Sequence, residues 1–169
     1  MQPSDLASFV TPSDPQISPD GERIAFVVSR MDLEEDRYER SIWVWDGSAA
    51  RPFTHGPLDL NPRWSPDGRS LAFLRGGTTP EQRPQVAVMP ADGGEARIMS
   101  DVALGCEEIE WSPDGKFIAA VGVAYQGEWA DLDESERSRR PRRITDVPFR
   151  FDNMGWIHDR KRHIWLITA

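Results

Sequence analysis

Ser18-Pro19-Asp20-Gly21, Ser65-Pro66-Asp67-Gly68 and Ser112-Pro113-Asp114-Gly115 are one tetrapeptide written three times at a constant interval of 47 residues. An identical string at an identical spacing marks an internal repeat. Each residue of the string suits a tight turn: Ser bonds local backbone, Pro presets φ at the second position, Asp suits the third, and Gly accepts the left-handed conformation. An apolar or aromatic residue precedes each copy (Ile17, Trp64, Trp111), and a short apolar run follows: Ile24-Ala25-Phe26-Val27, Leu71-Ala72-Phe73-Leu74, Ile118-Ala119-Ala120-Val121. The unit is therefore a strand, a hairpin tip and a second strand.

Working outward, the first repeat passes through a charged stretch at 30–40 into a third strand, Ser41-Ile42-Trp43-Val44-Trp45-Asp46. The turn signal Asp46-Gly47 then leads to a short fourth strand at Arg51-Pro52-Phe53-Thr54, where Pro52 suits a sheet edge. The second repeat runs through strands at 61–65, 71–75, 86–89 and 96–99, with a turn at Ala91-Asp92-Gly93-Gly94. Four short strands per 40 to 50 residues is the period of a β-propeller blade, with the strand before the turn innermost.

The third repeat begins on time at 108–112 and 117–123, but its third strand, 164–167, arrives late, after about 30 inserted residues. The spacing predicts an all-β chain, a partial β-propeller of about two and a half to three four-stranded antiparallel blades. Residues 1–16 read as a lead-in with one helical turn around residues 5–9 and an extended path imposed by Pro12 and Pro15. Residues 17–169 are the propeller fragment: blade 1 at 17–56, blade 2 at 61–100, and blade 3 at 107–169 with its insert at 125–160. Propellers close with four to eight blades, so the chain reads as a fragment of a longer protein.

The 169 residues carry a formal net charge of −8, which disfavours nucleic acid and anionic membranes as partners and leaves neutral, basic or peptidic ones. Cys106 stands alone, beside Glu107 and Glu108, and reads as a small buried residue. The N-terminal residues lack the basic and apolar regions of a secretory signal, so the expected compartment is the cytoplasm.

The insert holds the most informative polar pattern. Five acids (Glu128, Asp131, Asp133, Glu134, Glu136) precede five arginines (Arg137, Arg139, Arg140, Arg142, Arg143), and Phe149, Phe151 and Trp156 follow. The arginines, with Trp129 and Trp156 as surface aromatics, are candidates for docking a peptide or a neighbouring domain through carboxylates. The alternative is a self-neutralising surface hairpin. Trp43, Trp45, Trp64, Trp111 and Trp165 fall at strand positions and are expected in the core. Asp20, Asp67 and Asp114 sit in separate blades and read as turn residues, not calcium ligands. His158 and His163 flank a charged tetrapeptide and, with His55, lack the further ligands zinc needs. Glu34-Glu35 reads as a solvated acidic loop. No metal or cofactor is expected.

The three turns with their following strands resemble TolB-like propeller repeats. Asp14-Pro15-Gln16-Ile17-Ser18-Pro19-Asp20-Gly21, together with Arg143-Ile144-Thr145-Asp146, Phe149-Arg150, Gly155-Trp156 and His163-Ile164-Trp165-Leu166, is similar to the N-terminal propeller of acylaminoacyl-peptidase-like members of the prolyl oligopeptidase family. That resemblance implies serine peptidases in which a propeller caps an α/β-hydrolase domain and admits short peptides. It also implies a nucleophile elbow, Gly-x-Ser-x-Gly, in the hydrolase domain. No serine of this chain has glycines two before and two after it, so no catalytic residue is assigned here. The alternative reading is a TolB-like propeller that scaffolds protein contacts without catalysis. Association of copies through open blade edges is a further expectation.

Overall fold

The computed structural model describes residues 5, 8–56, 58–79, 82–145, 147–151 and 155–169. The helical turn expected around residues 5–9 includes Leu6 and Ala7, and the stretch ending in Asp146 includes that residue; these lie outside the described residues. Strands β1 (Val10–Ile17), β2 (Ile24–Asp32), β3 (Arg37–Trp45) and β4 (Ala50–Pro52) form the first blade. The second blade holds β5 (Leu58–Trp64), β6 (Ser70–Gly76), β7 (Gln85–Pro90) and β8 (Arg97–Ile98). The third begins with β9 (Cys106–Trp111) and β10 (Phe117–Tyr125). It passes through an insert containing helix α1 (Glu134–Arg139) and a two-stranded ribbon, β11 (Arg150–Phe151) and β12 (Gly155–Trp156), and resumes with β13 (Arg160–Thr168). Each blade is antiparallel from its inner strand outward, and the arrangement is a propeller that does not close.

All three turns are built alike. The Ser hydroxyl donates to the Asp carboxylate at 2.5, 2.7 and 2.6 Å for Ser18, Ser65 and Ser112. The same oxygen accepts from the backbone N–H five residues on, at Arg23, Ser70 and Phe117. The Asp Oδ1 accepts from the N–H two residues on, at Glu22, Arg69 and Lys116. Gly21, Gly68 and Gly115 take φ of 78°, 69° and 70°, the left-handed region that closes the turn.

Strand alternation sends side chains of β6 to both sides of the second blade. Leu71 and Phe73 join Ala25, Ile42, Trp64, Ala87, Met89 and Ala91 in the seam toward blade 1. Ala72 and Leu74 join Val86, Val102, Cys106, Ile109, Ile118 and Ala120 in the seam toward blade 3. Two devices repeat with the sequence period across these seams. Trp64 Nε1 donates to the Gln16 carbonyl at 3.1 Å, and Trp111 Nε1 donates to the Arg63 carbonyl at 3.0 Å. Gly68 and Gly115 each bring a turn against the proline of the preceding one, Pro19 and Pro66. Ile17 holds the position equivalent to Trp64 and Trp111, and it is 69% exposed.

Two of the tryptophans expected in the core are not there. Trp45 is 38% exposed because it shares with Ile24 and Phe26 the face of blade 1 directed away from blade 2, where no described sheet covers it. Trp165 is 39% exposed on the edge strand β13, with its ring lying over Gly122, a position where any Cβ would meet it at 2.9 Å. The hairpin of β2 and β3 also runs further than the apolar residues imply, with Arg30 opposite Glu39 and Asp32 opposite Arg37 extending the ladder through the charged stretch.

Candidate functional site

The inner strands β1 and β5 run in the same direction, since β1 is antiparallel to β2, β2 to β3, and β3 is parallel to β5. The connections between second and third strands therefore emerge at one end: the β2–β3 tip, the β6–β7 loop and the insert of blade 3. At the β2–β3 tip, Asp32 Oδ1 accepts from the N–H groups of Glu34 and Glu35 at 3.1 and 3.2 Å, leaving both glutamates exposed on a tight turn.

The described residues of the insert form a platform centred on one carboxylate. Asp159 is 1% exposed and accepts from Arg142 Nη2 at 2.6 Å and Arg160 Nε at 2.7 Å. Burial pushes its carboxyl up, but the two guanidinium hydrogen bonds outweigh that and hold it below the usual aspartate range. Arg142 then stacks between Trp129 and Trp156, at 4.4 and 5.0 Å. Arg137 stacks on Tyr125 at 4.0 Å and donates to the Trp129 carbonyl at 3.1 Å, and Arg140 pairs with Glu128. Helix α1 starts from a capping box in which Asp133 and Glu136 satisfy each other's backbone N–H.

Of the five insert arginines, three are thus engaged within the platform. The side chains of Arg139 and Arg143 are exposed and make no ion pair or hydrogen bond among the described residues. Trp129 and Trp156 are half-buried, their rings serving as stacking surfaces for the platform's own guanidinium groups. A cavity of about 150 Å³ lies between Trp129, Arg142, Trp156 and Asp159, and the buried Arg142 Nε has no hydrogen-bond partner among the described residues.

A second constellation was not anticipated from the sequence. Asp14, Asn61 and Glu108 recur with the 47-residue period on the inner strands, and Gln16, Arg63 and Glu110 recur two residues later. Asp14 and Asn61 take φ of 47° and 56° at irregularities in the β1–β2 and β5–β6 ladders. Arg63 Nη1 donates to Asp14 Oδ1 at 3.1 Å, and its Nε lies 3.5 Å from Glu110 Oε2, so one guanidinium touches the inner strands of blades 1 and 3. Asp14, Asn61, Arg63, Glu108 and Glu110 face a cavity of about 410 Å³. The signal was present as Asp14-Pro15 and Asn61-Pro62, the same kind of dipeptide 47 residues apart.

His158 and His163 are exposed, and Gln126 Nε2 donates to His163 Nε2 at 3.1 Å. Among the described residues no three His, Cys, Asp or Glu side chains are grouped to hold a metal ion. The buried Cys106 thiol is pushed up by desolvation, which works against nucleophilic use. No helix of the described residues is long and apolar enough to cross a membrane.

No protein-family model matches the sequence. The uncharacterized peptidase YuxL of Bacillus subtilis is 34% identical over 172 residues, which covers 98% of this chain and 26% of that protein. The acylaminoacyl peptidase of Pyrococcus horikoshii superposes with a TM-score of 0.75 at 26% identity, over 96% of this chain and 24% of that one. The β-propeller domain of the Trilobed protease from Pyrococcus furiosus gives a TM-score of 0.56 at 25% identity, over 69% of this chain and 35% of that one. The chain thus spans about a quarter of the length of the peptidases it matches over nearly its whole extent.

Proposed function

We propose that this chain is the N-terminal, non-catalytic propeller of a serine peptidase of the acylaminoacyl-peptidase type within the prolyl oligopeptidase family, a reading supported by its similarity over nearly its whole extent to about a quarter of YuxL and of the Pyrococcus horikoshii acylaminoacyl peptidase. Its work is to limit which peptides reach a catalytic centre and to seat an α/β-hydrolase domain carried elsewhere in the full-length protein. The observation that carries this reading is the platform made by the described residues of 126–159, joined through buried Asp159 at the end of the sheets where the other two interstrand connections also emerge. Arg139 and Arg143 project from it with no partner among the described residues, which suits them to carboxylates of an adjoining domain.

The test uses the full-length protein with residues 127–158 replaced by a short glycine-serine linker. Cleavage of long unstructured peptides should rise relative to cleavage of a short chromogenic substrate. In a second arm, R139E/R143E should weaken retention of the hydrolase domain after the interdomain link is cut. An unchanged long-to-short ratio would remove the gating role, and unchanged retention would remove the docking role.

A further inference from the structure

Between the seam of blades 2 and 3 and the β11–β12 ribbon lies a groove of about 420 Å³, within the range of small-molecule and peptide side-chain sites. Leu104, Val123, Phe151 and Ile157 make its apolar floor. Its rim holds four cations, Arg83, Arg160, Lys161 and Arg162, against one carboxylate, Glu107. Two of the cations are neutralised in place. Arg160 Nε lies 2.7 Å from Asp159, and Arg162 Nε lies 2.7 Å from Glu107. The side chains of Arg83 and Lys161 are exposed and make no hydrogen bond or ion pair among the described residues. In a chain of net charge −8, two unpaired cations above an apolar floor oppose the prevailing sign of the surface.

We propose that this groove binds an extended free peptide carrying acidic side chains on either side of an apolar residue. The carboxylates meet Arg83 and Lys161, and the apolar residue lies on Phe151 and Ile157. The inference rests on the peptide-admitting role proposed above and names the class of peptide. The chain's own β2–β3 tip, Asp32-Leu33-Glu34-Glu35, has the same composition, which makes a second copy the competing occupant.

The experiment is fluorescence anisotropy on the whole chain with a labelled peptide of alternating glutamate and leucine and its counterpart with lysine for glutamate. The acidic peptide should bind about tenfold more tightly than the basic one, a difference of about 1.4 kcal/mol. R83E/K161E should erase that preference, Phe151→Ala should weaken binding of the acidic peptide, and added salt should weaken it further. The substituted side chains are exposed, so far-UV circular dichroism should be unchanged.

Equal binding of the two peptides, or a preference that survives R83E/K161E, overturns the inference while leaving admission of peptides intact. Failure of the acidic peptide to bind also overturns it. If light scattering then shows self-association that E34K/E35K abolishes, the occupant is the tip of a second copy. The linker replacement described above decides the gating role independently of either result.

Discussion

At the scale of the residue, the same chemistry is used at three tips and once, inverted, at a hub. In each tip the hydrogen bond from Ser18, Ser65 or Ser112, then the backbone N–H two residues past the aspartate, lowers the pKa of Asp20, Asp67 or Asp114. A carboxyl whose folded pKa lies below its unfolded value stabilises the fold above the unfolded value and loses that contribution as pH falls through the folded one. Replacing Ser65 by Ala should therefore move the acid-unfolding midpoint to higher pH, followed by circular dichroism. Asp159 obeys the same sign but is buried between two guanidinium groups, so its loss leaves charges without a partner. Asp159→Asn should cost about 2 kcal/mol, part of the full penalty because Arg142 and Arg160 keep some solvent contact, and should expose residues 126–159 to limited proteolysis before the strands are cut. The tips were legible because all four positions of a turn are chemically restricted. Asp159 was not, because its partners lie 17 residues before it and next to it, a spacing no local pattern marks.

At the scale of the element, strand alternation told which residues share a face, but whether another sheet covers that face is a property of the neighbour. Trp64 and Trp111 point into seams and donate to a carbonyl on the inner strand of the preceding blade, whereas Trp45 and Trp165, equally apolar and equally alternating, are left partly in solvent. Trp111→Phe keeps the ring and removes the bond to the Arg63 carbonyl. It should lower stability by about 1 kcal/mol in urea titration without changing the slope. Helix α1 shows the opposite case, a feature that could have been read. Asp133 with Glu136 is the capping-box spacing, embedded in a run of acids followed by arginines. The β2–β3 hairpin outran its apolar residues because polar partners facing across it, with Asp32 and Arg37 paired at 3.9 Å near its end, continue a ladder where hydrophobic periodicity stops.

At the scale of the whole molecule, blade 2 is packed on both sides and blades 1 and 3 on one. Amide exchange should follow that order, with β6 slowest and β1 and β13 fastest; uniform protection across the three blades would contradict the two-seam architecture. The repeat period supplied this layout directly, since a 47-residue operator applied twice generates both seams from one. The ring of inner-strand polar residues belongs to the same scale, because Asp14, Asn61 and Glu108 meet only once the blades are placed around an axis.

Arg63 gives that arrangement a mechanical meaning. Its guanidinium spans from Asp14 to Glu110, so a pull on either outer blade loads one side chain that belongs to the blade between them. The two contacts link the first inner strand to the third through a side chain of the second blade, and Arg63→Met would remove both while leaving each seam's own apolar packing in place.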